Sequence, residues 1–140
     1  MTPDQLAALH AQCFTVPRPW SAGEFRTTLA DRFSFIVFHT DGFALGRAVA
    51  GEAELITIAV DPTARRRGAG RALISQFVAV STERDAQTAF LEVVEDNAAA
   101  IALYDATGWH ETGRRKGYYR RPDGRRQDAL IMARDITPYF

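Results

Sequence analysis

The stretch between positions 52 and 94 constrains the fold more than any other part of the sequence. The β-branched run Glu52–Val60 predicts a strand that ends at Pro62, because proline cannot continue the ladder of a sheet. The apolar spacing from position 72 to about 84 predicts an amphipathic helix, and the apolar run 89–94 predicts a second strand. Two strands joined through a helix pair in parallel with a right-handed crossover, so this stretch predicts an α/β protein.

The other elements complete a mixed sheet. Two capping boxes, at residues 2–5 and 21–24, each predict the start of a helix. Asn97 is a suitable N-cap for a further helix over 98–107. The remaining strands are predicted near residues 33–38, 43–50, 111–119 and 127–134. This order of elements predicts an α/β fold in which helices flank both faces of a mixed central β-sheet, within one domain over residues 1–140.

The composition argues against several classes of protein. Lys and Arg number 17, as do Asp and Glu, whereas proteins that coat a polyanion are usually strongly basic. The single cysteine, Cys13, permits no intrachain disulfide and favours a reducing compartment. The sequence shows neither a signal peptide nor an apolar run as long as a membrane span, so we expect a cytoplasmic protein without a membrane partner.

An arginine–glycine turn, Arg65-Arg66-Arg67-Gly68-Ala69-Gly70, joins the strand at 52–60 to the helix that follows it. A helix N-terminus exposes unpaired N–H groups with partial positive charge, and glycines let an anion approach the backbone closely. The arginines add charge and forked donors, so the turn suits a pyrophosphate. The alternative is a solvated basic loop whose glycines only permit tight packing. The turn by itself does not decide between the two.

This turn resembles the R/Q-x-x-G-x-G/A motif of the GNAT acetyltransferases, and the predicted order of elements is similar to theirs. Further segments resemble the ribosomal-protein alanine N-acetyltransferases of the RimI type: Leu91-Glu92-Val93, Asn97 to Tyr104, Gly108-Trp109, Tyr118-Tyr119, and Asp123-Gly124 with residues 128–133. The resemblance covers residues 53–134 well and the first fifty residues weakly. It implies the GNAT fold, with a sheet splayed around acetyl-CoA as co-substrate, and it implies no metal.

The resemblance also implies the catalytic pair, with Glu92 as the general base and Tyr104 as the general acid. From the residues alone, Glu92 among apolar neighbours suits a base with a raised pKa, against the alternative of an outward-facing residue in an ion pair. Tyr104 taken alone is more typical of a core aromatic. The implied acetyl-CoA contacts are Ile58, Ala59, Val60, Arg65, Arg66, Arg67, Gly68, Ala69, Gly70, Arg71 and Asn97. The expected acceptor contacts are Trp20, Glu54, Tyr118 and Tyr119, although cross-strand packing explains the two tyrosines equally well.

The acidity of the acceptor amine bears on the choice of substrate. An α-amine has a pKa of about 7.7–8.0 and is roughly a tenth neutral at pH 7, whereas a lysine amine, at about 10.4, is neutral about once in 2,500. A single carboxylate therefore serves an α-amine more readily. The resemblance implies the N-terminal alanine of the eighteenth small-subunit ribosomal protein, whose basic tail would suit acidic residues at 52, 54, 92 and 95. Two alternatives stay open: a GNAT enzyme acting on a lysine, a small-molecule amine or an antibiotic, and a non-catalytic acyl-CoA sensor or RNA-binding module.

One feature is left over, a basic segment at residues 114–126 that holds seven basic residues against one acid. It is a solvated hairpin face, a contact for the coenzyme's phosphates, or a contact for ribosomal RNA, and we favour the solvated face. The resemblance implies a ribosomal peptide substrate. The sequence gives no direct nucleic-acid requirement, and we expect a monomer or weak dimer.

Overall fold

The computed structural model describes residues 1–65 and 67–136, and its helices and strands follow the predicted order. A 3-10 turn at Pro62–Ala64 adds to the predicted elements. The elements are α1 (Pro3–Cys13), α2 (Ala22–Ala30), β1 (Ser34–His39), β2 (Gly42–Val49), β3 (Glu52–Val60), α3 (Ala69–Glu83), β4 (Thr88–Val94), α4 (Ala98–Ala106), β5 (His110–Arg120) and β6 (Arg126–Asp135).

The described strands form one six-stranded mixed sheet in the order β1-β2-β3-β4-β6-β5. β3 and β4 run parallel with α3 between them in the chain, as the crossover prediction requires. The other neighbouring pairs are antiparallel. The mixed sheet with its flanking helices confirms the predicted fold class. Within residues 1–65 and 67–136, no helix combines the length and the apolar character that crossing a bilayer demands.

Helices cover both faces of the sheet, and each face has its own core. α1 and α2 cover one face, where Leu6 and Phe25 are fully buried in the smaller core. α3 and α4 cover the opposite face, where Leu73, Phe77 and Tyr104 belong to the larger core. The central strands therefore bury side chains on both faces, which explains why the runs at β3 and β4 are almost continuously apolar.

A bulge in β3 changes which face its side chains meet. Leu45 of β2 pairs with Thr57 and the next residue, Gly46, pairs with Leu55, so Ile56 has no partner across this pair of strands. Leu55 consequently packs in the larger core, whereas Ala59 packs in the smaller one. In a regular strand these two residues would face the same side, because side chains alternate with a period of two.

The two central strands part half-way along the sheet. β3 and β4 pair over three residues, and the last pair is Glu54 opposite Phe90. Beyond that point β3 continues to Val60 paired with β2, and β4 continues to Val94 paired with β6. The sheet therefore opens into a gap between β3 and β4, which confirms the predicted splay.

The helix caps follow the sequence closely, with one correction. Both predicted capping boxes form, at Thr2 and at Ser21, and the Asn97 side chain accepts the N–H of Ala100 at 3.2 Å. α3, however, begins at Ala69, three residues before the predicted start at position 72. Gly68 caps this helix from a left-handed backbone conformation with φ 82°, which is accessible to glycine at little cost.

Candidate active site

The turn between β3 and α3 presents an uncapped helix N-terminus. Gly68 makes no side-chain capping bond, and the first helical bond runs from the N–H of Ala72 to the carbonyl of Gly68 at 3.0 Å. The N–H groups that precede Ala72 therefore lack an intrahelical partner. A Cβ placed on Gly68 would meet no atom within 4 Å, so the backbone is open to an approaching group. This geometry fits an anion such as a pyrophosphate.

The second glycine of the turn has a different environment. A Cβ placed on Gly70 would lie 2.8 Å from Cδ2 of Leu103, so α3 and α4 come close at this point. Tight packing was the alternative explanation for the glycines of this turn, and it holds for Gly70. Openness toward a ligand holds for Gly68 alone.

The other predicted acetyl-CoA contacts lie around the gap and the turn. Arg65, Arg67 and Arg71 are exposed, whereas Arg66 lies outside the described residues. Ala69 is buried in the first turn of α3. Ile58 and Val60 pack against the larger core, Ala59 is buried in the smaller core, and Asn97 caps α4.

Glu92 extends from β4 in the part of the strand that has left β3. Its neighbours Leu91 and Val93 pack in the larger core, so its own side chain leaves the opposite face, toward α1 and α2. The side chain is 24% exposed, and its Oε1 lies 3.4 Å from Nε of Arg115 on β5. This is the ion pair that the alternative interpretation of Glu92 described. The role of general base stays a prediction.

Two further predicted residues share that face of the sheet with Glu92. Burial raises the pKa of Glu54, and the negative charge of Glu92 raises it further. Burial likewise raises the pKa of Tyr119 to about 12, again with a contribution from Glu92. Glu54, Glu92 and Tyr119 therefore form one half-buried acidic cluster beside the gap, which we call the carboxylate cluster.

A bulge in β5, in which three residues lie opposite one residue of β6, positions Tyr118 and Tyr119. Arg115 pairs with Ala129 and Tyr119 with Gln127, so the three residues between them on β5 face Asp128 alone. The Asp128 carboxylate accepts the N–H of Gly117 at 2.9 Å and a bond from Arg114 at 3.1 Å. These two donors also hold the pKa of Asp128 below its usual range. In the sequence of β5, the glycine at position 117 is the one sign of this bulge. In the structure, Gly117 has a φ of 59°.

The bulge brings Arg115 over the ring of Tyr118, with Cζ 4.7 Å from the ring centroid. Tyr118 is 52% exposed, and its ring lies 5.1 Å from that of Tyr119 in an edge-on arrangement. Arg115 therefore contacts both Glu92 and Tyr118. Sequence reasoning did not single out this residue within the basic segment.

Tyr104 lies on the opposite face of the sheet from Glu92. It is buried in the larger core, where its ring centroid is 6.0 Å from that of Trp109. Burial raises the pKa of the Tyr104 hydroxyl well above its ordinary value. Its packing is that of a core aromatic, and a phenol in this setting stays protonated at neutral pH.

Trp20 packs between α1 and α2 rather than standing free in the gap. Its ring lies 5.2 Å from that of Phe25, and its backbone N–H donates to Nδ1 of His10 at 3.0 Å. Trp20 also lines a shallow cavity of about 460 Å³ with residues at the start of α2. The sequence pattern did not identify His10, although it is buried on the apolar stripe of α1.

The basic segment is partly neutralised by acids on neighbouring elements. Besides the Arg114–Asp128 and Arg115–Glu92 contacts, Nη1 of Arg121 lies 3.1 Å from Asp96. These cross-element pairs support the interpretation of the segment as a solvated hairpin face.

Comparison with known proteins decides the family. Residues 4–109 match the model of the acetyltransferase (GNAT) family. The chain belongs to the GNAT acetyltransferases. GNAT acetyltransferases use acetyl-CoA.

Curated relatives narrow the comparison. The chain is 39% identical over 140 residues to the ribosomal protein bS18-alanine N-acetyltransferase of Escherichia coli K12. The alignment covers 97% of this chain and 94% of the relative. It is 35% identical over 119 residues to the enzyme of the same name from Haemophilus influenzae, covering 82% and 81% of the two chains. These relatives confirm the resemblance to the ribosomal-protein alanine N-acetyltransferases, and the protein is an acyltransferase.

Solved structures agree with the fold. The crystal structure of the ribosomal-protein-S18-alanine N-acetyltransferase from Escherichia coli aligns with a TM-score of 0.83 at 34% identity, over 96% of this chain and 87% of that one. Arabidopsis thaliana NAA60 in complex with acetyl-CoA aligns with a TM-score of 0.83 over 96% and 93% of the two chains. At 19% identity this second likeness concerns the GNAT fold alone.

Proposed function

We propose that this GNAT enzyme transfers the acetyl group of acetyl-CoA to the N-terminal α-amine of a protein, with the N-terminal alanine of ribosomal protein bS18 as its acceptor. The observation that carries the proposal is the gap between β3 and β4, with Glu92 on one face of the sheet and Tyr104 on the other. The names of the curated relatives supply the acceptor.

In this proposal the turn and β3 hold the co-substrate, which supplies the activated acyl group. The open backbone at Gly68, the first turn of α3 and the arginines of residues 65–71 bind the pyrophosphate. Beyond Glu54, the edge of β3 that faces the gap pairs with no strand in the described part of the chain, so the backbone at residues 58–60 can pair with an extended ligand. Asn97 adds a contact from the start of α4.

Glu92 and Tyr104 then divide the proton transfers between them. A group that lies in the gap is approached by Glu92 from one face and by Tyr104 from the other. Glu92 accepts the proton that the attacking amine loses, and Tyr104 donates its hydroxyl proton to the departing thiolate. Burial keeps the Tyr104 hydroxyl protonated until that step. No covalent bond to the enzyme is required, because both substrates are held together.

The acceptor side consists of the carboxylate cluster, Tyr118 and Trp20. Glu54 and Glu92 lie where the α-ammonium of a peptide would enter, and a basic peptide tail suits their charge. Tyr118 and Tyr119 supply flat aromatic surface beside them. The cytoplasmic location, the single domain and the monomeric or weakly dimeric state stay predictions.

The decisive experiment compares peptides that differ only at the N-terminus. A peptide with the bS18 N-terminal sequence and a free alanine is incubated with acetyl-CoA and the protein, beside the same peptide with a blocked N-terminus. We expect thiol release and a mass gain at the α-amine for the free peptide only. Acetylation confined to an internal lysine, or to a small-molecule amine, would replace the proposal with one of the alternatives.

A further inference from the structure

The contact between Arg115 and Glu92 has no place in the chemistry described above. Both side chains are partly exposed, Glu92 by 24% and Arg115 by 50%. The Nε···Oε1 distance of 3.4 Å is that of an ion pair, and no hydrogen bond accompanies it among the described residues. Ion pairs of this exposure contribute little to stability, so another cation can replace Arg115 at small cost.

Under the proposed function, Arg115 occupies the space beside Glu92 that the acceptor amine has to enter. An amine that Glu92 deprotonates must come within hydrogen-bond reach of the carboxylate. An α-amine is mostly protonated at pH 7 and therefore arrives as a cation. Two cations cannot both occupy the near side of one carboxylate without repulsion. We infer that Arg115 is a displaceable counter-ion that holds Glu92 between turnovers and gives way to the ammonium of the acceptor.

The ring of Tyr118 can retain the guanidinium of Arg115 after it leaves Glu92. Arg115 already lies over Tyr118, at 4.7 Å from the ring centroid, and a cation on an aromatic face is favourable when Glu92 is taken. The bulge anchored by Asp128 fixes the backbone on both sides of this arrangement. Only the side chain of Arg115 has to move.

The exchange has a consequence for the product. An acetylated N-terminus carries no positive charge, so it cannot compete for Glu92. Arg115 then returns to the carboxylate, and the exchange favours entry of a charged amine and departure of a neutral amide. This inference rests on the proposed function, since it assigns a role within the same acceptor site.

Steady-state kinetics with the full chain test the inference. We expect R115Q to lower the KM for the alanine peptide about two- to fivefold, the range set by ion pairs of this exposure, with kcat changed less than twofold. R115K keeps the charge and should keep the native KM. R125Q removes a charge from the same hairpin, at a side chain that is 84% exposed, and should leave the KM unchanged.

A higher or unchanged peptide KM in R115Q overturns the inference, and so does an equal fall in R125Q, which would indicate general electrostatics. Loss of kcat in a folded R115Q would place Arg115 in the chemical step and also overturn it. If the wild-type protein acetylates no peptide N-terminus, the proposed function fails instead, and this outcome is visible before any variant is made.

A measurement on the wild-type protein covers the case in which R115Q does not fold. The Nε–Hε signal of Arg115, assigned by its loss in R115K, is followed by NMR in the presence of coenzyme A. We expect the free-amine peptide to shift this signal and the N-acetylated peptide to leave it in place. Identical responses to the two peptides overturn the inference.

Discussion

Nδ1 of His10 accepts the backbone N–H of Trp20, and Nε2 of the same ring lies 3.0 Å from Oγ1 of Thr57. Because Nδ1 acts as an acceptor, the proton of the neutral imidazole is on Nε2, which donates to Thr57. One ring therefore connects α1, the segment before α2, and β3. This contact has a direct consequence for stability at low pH.

Stability should fall between pH 6.5 and pH 4. Burial lowers the pKa of His10 from 6.5 to about 4. In that window the unfolded chain binds a proton at this residue and the folded protein does not, so the contribution is complete above pH 6.5 and is lost as the pH falls toward 4. The loss amounts to about 3 kcal/mol. Urea unfolding at pH 7 and pH 5 should detect about 2 kcal/mol of this loss, because the folded-state pKa of about 4 lies below pH 5, and a pH dependence of equal size in H10Q would contradict the assignment to His10.

Glu92→Gln should reduce turnover by about 100-fold or more, because the base is removed while the side chain keeps its shape. Binding of acetyl-CoA should stay near the native level, since Glu92 lies on the opposite face from α3. Stopped-flow or steady-state assays of thiol release give the turnover rate, and isothermal titration calorimetry gives the affinity for acetyl-CoA. E83Q, at an exposed position near the end of α3, is the matched control. Native turnover in E92Q would exclude Glu92 as the base.

Tyr104→Phe should separate the chemical role of the hydroxyl from the packing role of the ring. The ring remains against Trp109, so we expect a change in the free energy of unfolding of about 1 kcal/mol or less. Turnover should fall about 100-fold or more if the hydroxyl protonates the thiolate. The two quantities come from urea unfolding and thiol release. A stable variant with native kcat would leave Tyr104 as a core residue only.

The two glycines of the turn should respond differently to alanine. Gly68→Ala forces a side chain into a left-handed conformation with φ 82°, at a cost of about 1–2 kcal/mol, and should also weaken acetyl-CoA binding. Gly70→Ala should be coupled to Leu103, because the new methyl group meets Cδ2 at 2.8 Å. In a double-mutant cycle with Leu103→Ala we expect a coupling of about 0.5 kcal/mol or more. Additive effects would show that the contact carries no strain.

Asp128→Ala should loosen the acceptor hairpin without affecting the co-substrate. The variant removes the acceptor of the Gly117 N–H and the partner of Arg114, which together position Tyr118 and Tyr119. We expect a loss of about 1–3 kcal/mol in stability and a higher peptide KM, with an unchanged acetyl-CoA KM. D128N keeps an oxygen for Gly117 and should be milder. Equal changes in both KM values would contradict a role confined to the acceptor side.

Local chemistry made much of this fold predictable. The capping boxes at Thr2 and Ser21 and the Asn97 cap each involve a few consecutive residues, so their signal is complete within the sequence. The start of α3 was misplaced because Gly68 and Gly70 are poor helix formers in any propensity scale. Gly68 lies outside the helix as its N-cap, and the close packing of Gly70 on Leu103 overrides the low helix propensity of that glycine.

The family resemblance supplied a set of site residues, whose roles stay predictions, but it did not supply their arrangement. Glu92 and Arg115 lie on different strands, and their contact depends on the register of β5 and β6. That register includes a bulge whose anchor, Asp128, lies on the opposite strand from the residues it displaces. Such features depend on pairing between distant segments, which a pattern along one strand does not contain.

Ile56 has no partner on β2, so it is one extra residue that the bulge accommodates in β3. Deleting Ile56 would leave Thr57 opposite Leu45 and Leu55 opposite Gly46, so the strand would become regular while the other residues kept their partners and their faces. Thr57 would keep its contact with His10, and Ile58 and Ala59 would stay in their separate cores. A one-residue deletion in β3 should therefore be better tolerated at Ile56 than at a regularly paired position, where it would turn the side chains beyond it to the other face.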